Sequence, residues 1–148
     1  MLEVYYQTTM KVAIMAAALA LAGGCASLAP PEPASLAGTS WQFVKFTGGD
    51  GKVLIPDDKS KYTVNFGADG RFNVRFDCNR GFGGWKSAGK NQIEFGAMGL
   101  TRAMCGPESL HDHFVRQWPH VRSYVVRNGN LHLALMADGG IFEFEPAP

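Results

Sequence analysis

The side chains with the most reactive chemistry in this sequence are cysteines and histidines. Cys78, Cys105, His111 and His113 carry the thiolate and imidazole groups that bind zinc in proteins. On a helix, however, His111 and His113 would point about 200° apart, so both could not bind one ion. Cys78 and Cys105 lack the Cys-x-x-Cys spacing that lowers a thiol pKa in redox-active pairs. A structural disulfide is the stronger interpretation if the chain meets an oxidising compartment.

Ser109, His111 and Asp112 carry the three groups of a hydrolase triad without its geometry. On one helix Ser109 and His111 would point about 200° apart, and no Gly-x-Ser-x-Gly sequence is present to expose a nucleophile. The glycines of residues 81–84 lack the Lys and the Ser or Thr of a phosphate-binding loop, and we interpret them as a corner turn. We therefore expect no catalytic residue, no metal, no cofactor and no enzyme activity.

The start of the chain has the tripartite pattern of a signal peptide. Lys11 gives a positive start, residues 12–21 are almost wholly apolar, and two glycines precede Cys25. The apolar run is too short to span roughly 30 Å of hydrocarbon as a permanent helix. We assign residues 1–24 to the signal peptide and expect translation to start at Met10, since the nine residues before it contain no basic side chain.

The five residues that end in Cys25 resemble the bacterial lipobox, in which a signal peptidase cuts just before a cysteine that carries diacylglycerol. Acyl chains stabilise membrane residence by about 0.8 kcal/mol per buried CH₂, so a lipid on Cys25 would anchor the protein to a membrane. Ala26, and not Asp, follows the cysteine. By resemblance to Gram-negative sorting, this favours the outer membrane, facing the periplasm. The alternative is an ordinary secretory peptide that leaves Cys25 as a free thiol.

A proline-rich tether follows the anchor. Residues 25–35 include Pro30, Pro31 and Pro33, a composition that forms a stiff, extended spacer, and the folded domain is predicted over residues 36–146. An exported domain meets an oxidising compartment, so the two cysteines left in it, Cys78 and Cys105, are expected to form a disulfide. Closing this loop of about 27 residues would stabilise the fold by up to ~3 to 4 kcal/mol.

Length and composition favour one small β-rich domain. The chain has 148 residues, room for one core, and its 46% hydrophobic share is typical of a globular protein. The formal net charge of +1 provides no long-range field to attract nucleic acid, so we expect no nucleic-acid partner. The 18 glycines and 10 phenylalanines favour short strands joined by tight turns.

The clearest local pattern is a β-hairpin around the turn at residues 67–70. Six apolar side chains fall on one face at a period of two: Tyr62, Val64, Phe66, Phe72, Val74 and Phe76. Further strands are predicted near residues 40–46, 92–95, 99–104, 121–126, 131–135 and 141–144. Leu110, Phe114 and Trp118 recur every four residues, which predicts one amphipathic helix from Pro107 to Pro119. The predicted fold is mainly β (α+β), a strongly curved antiparallel sheet or incomplete barrel with one amphipathic helix.

Three separate stretches, residues 36–41, 77–85 and 101–105, resemble the META domain (HslJ-like) family of bacterial lipoproteins in sequence, order and spacing. The most recognisable residues are Asn79, Thr101 and Met104, beside Cys78 and Cys105, and Trp41 belongs to a first stretch that would be a weak signal alone. The resemblance implies a curved antiparallel sheet, a place in the cell envelope and a link to heat and drug stress, and it implies no known reaction. We expect Asn79 to brace backbone groups.

Three functions are compatible with these observations. The first is a non-enzymatic envelope lipoprotein that contributes to envelope, heat or drug stress tolerance by contacting another envelope component. The second is a barrel that binds a lipid or another small apolar ligand in a cup lined by Phe66, Phe72, Phe76 and Trp85. The third is a periplasmic inhibitor of an enzyme such as lysozyme. A cavity inside the sheet would favour the second function, and a filled interior would favour contact at the surface.

Overall fold

The structure is a computed structural model that describes residues 35–148. The predicted signal peptide (residues 1–24), Cys25 and residues 26–34 of the predicted tether lie outside the described residues. The strands are β1 (Thr39–Gly48), β2 (Val53–Leu54), β3 (Tyr62–Phe66), β4 (Arg71–Phe76), β5 (Asn79–Gly89), β6 (Gln92–Phe95), β7 (Gly99–Leu100), β8 (Val121–Arg127), β9 (Asn130–Leu135) and β10 (Gly140–Pro146), and the helix is α1 (His111–Gln117). Short 3-10 helices cover Lys59–Lys61, Trp118–His120 and Met136–Asp138.

Alternating apolar and polar residues produce the hairpin of β3 and β4. Its register pairs Val64 with Val74 and Phe66 with Phe72, and all four side chains are buried. On β4, Arg71, Asn73 and Arg75 point outward and alternate with the buried residues, since successive side chains of a strand point to opposite faces. The predicted hairpin is confirmed.

Eight strands close into an antiparallel barrel. They pair in the order β1, β3, β4, β5, β6, β8, β9 and β10, and β10 pairs back with β1 from Trp41–Pro146 to Gly48–Gly140. Outside this ring, β2 extends one edge of β1 and β7 pairs with β5. The mainly β class with one α-helix is confirmed, and the barrel is closed, whereas the sequence left an open sheet as an alternative.

The antiparallel order sorts the connections onto two ends of the barrel. The chain enters β1 at the same end as the β3–β4 turn, where the Gly38 N–H donates to the Phe66 carbonyl over 2.7 Å; we call this the entry end. The β4–β5 turn and α1 are at the opposite end, which we call the helix end. A chain held by its N-terminus is therefore held at the end away from the helix.

The helix is shorter than the sequence predicts. It begins at His111 and not at Pro107, because the preceding residues form a turn in which the Ser109 N–H donates to the Gly106 carbonyl over 3.1 Å. The Leu110 N–H then donates to the Tyr62 hydroxyl over 2.9 Å, which attaches the start of the helix to β3. Within residues 35–148, no helix has both the length and the hydropathy to cross a bilayer.

Aromatic rings fill the barrel. Phe114, the one fully buried residue of α1, closes the helix end by packing on Phe43, Tyr62, Phe76 and Phe142 at centroid distances of 4.6 to 5.4 Å. Every strand of the barrel has both neighbours within residues 35–148, and the core draws on the same residues. This part of the chain is therefore a self-contained folding unit.

The predicted ligand cup is wrong for this interior. Phe66, Phe72 and Phe76 are at most 1% exposed and pack on Trp85, Phe95, Phe114 and Trp118 at 4.6 to 6.1 Å. Trp85 is half-buried with its ring against Phe66. These four residues are core and not an open lining, because rings from β6 and the helical segment occupy the space a ligand would need.

The glycine-rich segment is a strand and not the predicted corner. Gly81 and Gly83 lie in β5, opposite Val74 and Phe72. A Cβ at Gly83 would come within 2.7 Å of the Phe72 ring, and one at Gly81 within 2.8 Å of Leu100. The missing side chains make room for these neighbours, since the interior of a small barrel is filled by alternating large and small residues.

This packing gives a prediction with its control one residue away. Gly83→Ala should lower the free energy of unfolding by about 1 to 2 kcal/mol, because overpacking outweighs the small gain from a less flexible unfolded chain. Gly84→Ala should be neutral or slightly stabilising, since a Cβ there meets only the Gly70 carbonyl, at 3.8 Å. Urea unfolding of both variants measures the difference, and equal effects would contradict the packing argument.

Candidate interaction surface

A disulfide joins Cys78, in the β4–β5 turn, to Cys105, in the segment that leads to α1. The two half-cystines are 27 residues apart and their Cα atoms are 5.6 Å apart. The predicted disulfide is confirmed. The zinc alternative, with His111 and His113, is wrong because both sulfurs are used in this bond; moreover, residues 35–148 contain no group of three or more His, Cys, Asp or Glu placed to hold a metal.

Asn79 braces the segment beside the disulfide. It is the one fully buried polar side chain among the described residues. Its Oδ1 accepts from the Ala103 N–H at 2.7 Å and from the Thr101 hydroxyl at 2.9 Å, and its Nδ2 donates to the Ala103 carbonyl at 2.9 Å. The amide thus pairs with both backbone groups of Ala103, as a neighbouring strand would.

Thr101 attaches the same segment to the backbone of Arg80 on β5. Its hydroxyl oxygen accepts from the Arg80 N–H at 2.9 Å, and its own N–H donates to the Arg80 carbonyl at 2.9 Å. The strand predicted over residues 99–104 ends at Leu100, and these side-chain bonds replace the ladder beyond it. Residues 101–105 are therefore fixed without regular secondary structure.

Met104 projects from this fixed segment into solvent. Its side chain is 100% exposed, although both of its sequence neighbours are held, Ala103 by Asn79 and Cys105 by the disulfide. A fully exposed large apolar side chain on a fixed loop contributes nothing to the core. The motif thus separates into residues that position the loop (Asn79, Thr101 and the cysteines) and one residue that the loop presents.

A groove of about 870 Å³ runs between this segment and the helix. Its apolar walls come from Met98, Leu100, Met104, Pro107, Val115 and Pro119, and its polar rim includes Arg102, Ser109, His111 and Asp112. Sequence reasoning identified Met104 but missed Met98, Leu100 and Val115. The pattern that could have identified Val115 is its position one residue from the buried Phe114 on a short amphipathic helix.

The other candidate residues do not assemble into a second site. Trp41 is buried near the entry end, where its Nε1 donates to the Thr39 hydroxyl at 2.7 Å. The Ser109 hydroxyl accepts the His111 N–H at 3.1 Å, a local hydrogen bond just before the helix.

The two histidines of α1 face different surroundings. A ring nitrogen of His111 lies 3.4 Å from the Asn79 Nδ2. The His113 ring packs on Phe46 at 4.4 Å, and its Nε2 is buried with no hydrogen-bond partner among the described residues. Burial, helped by the positive charge of Arg116, lowers the pKa of His113 below its ordinary value.

Comparisons with known proteins agree with this geometry. A family model described as META domain matches residues 34–148. The NMR structure of a protein from Burkholderia xenovorans is similar with a TM-score of 0.66 and 19% identity, covering 82% of this chain and 93% of that one. The crystal structure of a DUF4847 family protein from Bacteroides vulgatus has a TM-score of 0.55 and 17% identity, covering 74% and 93%. At these identities the two structures show the same fold. A search of curated proteins gives no match.

The brace predicts that Asn79 matters more for stability than its size suggests. Asn79→Ala should lower the free energy of unfolding by about 2 to 3 kcal/mol, because buried hydrogen bonds are lost and a small cavity remains. Asn73→Ala is the matched control, since Asn73 is exposed on β4, and it should change stability by about 0.5 kcal/mol or less. Urea unfolding under non-reducing conditions measures both. Equal losses would mean that Asn79 does not brace the loop.

The half-buried His113 predicts a pH-dependent stability. Because its pKa in the folded protein is lowered, the unfolded chain binds a proton first, and stability is lost as the pH falls below the ordinary value of 6.5. His113→Leu should flatten this slope between pH 7.5 and about 5.5, where carboxylates stay ionised. His120→Gln, at an exposed histidine, should leave the slope as it is in the wild type. Thermal unfolding across this pH range measures the slope. An unchanged slope in His113→Leu would exclude His113 as the source of the pH dependence.

Proposed function

The chain belongs to the META domain family, and from that premise we propose that it is a non-enzymatic bacterial envelope lipoprotein that contributes to envelope, heat or drug stress tolerance by contacting another envelope component. The observation that carries the proposal is Met104, fully exposed on a loop that the disulfide and Asn79 fix in place. The groove beside Met104 is the contact surface.

The physical properties of this surface suit a protein partner. A loop that is already fixed loses little conformational entropy on binding, so more of the contact energy remains as affinity. Methionine is flexible and polarisable and adapts to irregular apolar surfaces. The apolar walls with a polar rim, which includes Arg102 and Asp112, follow the usual anatomy of protein interfaces.

We propose the lipid anchor on Cys25 from the sequence. The topology of the barrel is compatible with both this anchor and a protein contact at the groove. The chain enters at the end opposite the helix, so the tether would attach to the barrel at the end away from the groove. The groove, at the helix end, would then be accessible from the periplasm. Ala26 after the cysteine favours the outer membrane.

A second candidate function is inhibition of a periplasmic enzyme such as lysozyme. The same projecting residue favours it, because inhibitors commonly insert a preorganised loop into an enzyme cleft and keep its conformation on binding. An activity assay of lysozyme with the barrel domain, residues 35–148, tests this alternative directly. The filled interior gives the lipid-binding alternative no comparable support.

The proposed contact can be tested by site-specific photocrosslinking in intact cells. A photoreactive amino acid at position 104 of the full chain should give a discrete crosslinked species at native abundance. The same residue at position 141 is the matched control, because Ile141 is an exposed apolar residue on the outer face of β10, away from the groove. Equal crosslinking at the two positions, or none at 104, would count against the groove.

The anchor is tested separately by Cys25→Ser in cells under envelope stress. Loss of tolerance and of lipid incorporation would support function at the membrane. Tolerance in the Cys25→Ser strain would show that the function does not need the lipid, and absence of lipid incorporation in the wild type would overturn the anchor. Either result leaves the groove open to the crosslinking test. Cys78→Ser provides the comparison for loss of the folded domain, because it removes the disulfide and leaves Cys25 unchanged.

A further inference from the structure

The arginines and lysines of the barrel differ in their partners. Within residues 35–148, every salt bridge is made by a lysine, and the pairs are Lys45–Glu143, Lys52–Asp50, Lys59–Glu145, Lys61–Asp57 and Lys86–Glu94. None of the arginines there pairs with a carboxylate. Three of them, Arg71, Arg75 and Arg80, lie on the outer face of the β4–β5 pair.

These three arginines are neighbours across the strands and surround an exposed aromatic ring. Arg75 is opposite Arg80, and Asn73, between Arg71 and Arg75, is opposite Phe82. The Arg71 guanidinium lies 5.9 Å from the centroid of the Phe82 ring, which is 55% exposed. We call Arg71, Arg75, Arg80 and Phe82 the arginine face.

The nearest carboxylates do not neutralise this face. Asp69 accepts the backbone N–H of Arg71 at 3.0 Å, within the β3–β4 turn. Arg75 and Arg80 donate to the backbone carbonyl of Asp77, at 3.0 and 3.4 Å, and not to its carboxylate. The guanidinium groups keep their charge available to an external anion.

We propose that the arginine face docks onto an anionic phospholipid bilayer. Guanidinium groups bind phosphate oxygens in a bidentate manner, and cationic side chains gain free energy near an anionic membrane surface. Phe82 has no hydrogen-bonding group and lies on the same face as the three arginines, so it can enter the boundary between headgroups and acyl chains.

The anchor of the proposed function is the reason to prefer a bilayer over an acidic protein or polysaccharide, and to that extent the proposal rests on it. Ten residues, 26–35, separate Cys25 from the barrel, and an extended chain of that length reaches about 30 Å. The chain then enters beside the end of β3, and Arg71 begins the next strand of the same hairpin. A lipid on Cys25 would thus keep the arginine face within reach of the membrane.

Docking is tested with the unlipidated barrel domain, residues 35–148, so that the anchor plays no part in the result. In sedimentation with vesicles of phosphatidylcholine containing about one third phosphatidylglycerol, the domain should bind more strongly than to phosphatidylcholine alone. Each arginine replaced by glutamine should weaken binding about fivefold at low salt. Phe82→Ser should weaken binding to the anionic vesicles as well.

The matched control removes the same number of positive charges from another part of the barrel surface. A triple variant with Lys45→Gln, Lys52→Gln and Lys59→Gln removes three positive charges outside the arginine face. It should bind nearly as the wild type does, whereas the variant with Arg71→Gln, Arg75→Gln and Arg80→Gln should lose binding. Ile141→Ser is the control for Phe82→Ser, because Ile141 is an exposed apolar residue of β10. Thermal unfolding verifies that each variant is folded.

Three outcomes would overturn the proposal. Equal losses in the arginine and lysine triples would mean that binding follows net charge alone. Equal binding to neutral and anionic vesicles would exclude recognition of phosphate charge. Stronger binding to soluble polyglutamate than to the anionic vesicles would identify an acidic macromolecule as the partner instead. None of these outcomes bears on crosslinking at Met104 or on lipidation of Cys25.

Discussion

The limited space inside an eight-stranded barrel is the constraint on which this structure depends. Such a barrel is just wide enough for its own side chains to fill. Here the Phe72 ring uses the space left by Gly83, and Phe114 of the helix closes one end against four other rings. Because the interior is filled in this way, groups that could meet another molecule lie on the outer face or at the ends.

The sequence predicts features that depend on local patterns. The β3–β4 hairpin follows from strict alternation around a turn, and the disulfide follows from the predicted compartment and the number of cysteines. Closure of the barrel depends on pairing between the first and last strands, which no local pattern reports. For the same reason the sequence predicts a corner at residues 81–84, because the fit of Gly83 against Phe72 depends on a cross-strand pairing that the local pattern does not show.

The motif residues of the candidate site were predictable from the sequence, but their arrangement and the groove residues Met98, Leu100 and Val115 were not. The family motif identified Asn79, Thr101 and Met104, but a motif does not distinguish residues that hold a loop from one that the loop presents. That distinction depends on burial, which is complete for Asn79 and absent for Met104. The helix boundary has a related cause, since the hydrogen bond from Leu110 to Tyr62 and the disulfide before it determine where helical geometry can begin.

The groove and the arginine face share one element, the two-residue strand β7. Leu100 lines the groove, whereas a Cβ at Gly99 would lie 3.2 Å from the Phe82 ring, so that ring packs over β7 from the outer face. Asn79 and Thr101 fix the segment that follows β7, which contributes Arg102 and Met104 to the groove. Because the surfaces lie on opposite sides of this strand, the proposed contact with a membrane on one side would leave the other side free for the proposed protein contact. A single buried amide thus helps to position the groove, although its own side chain is not part of the groove lining.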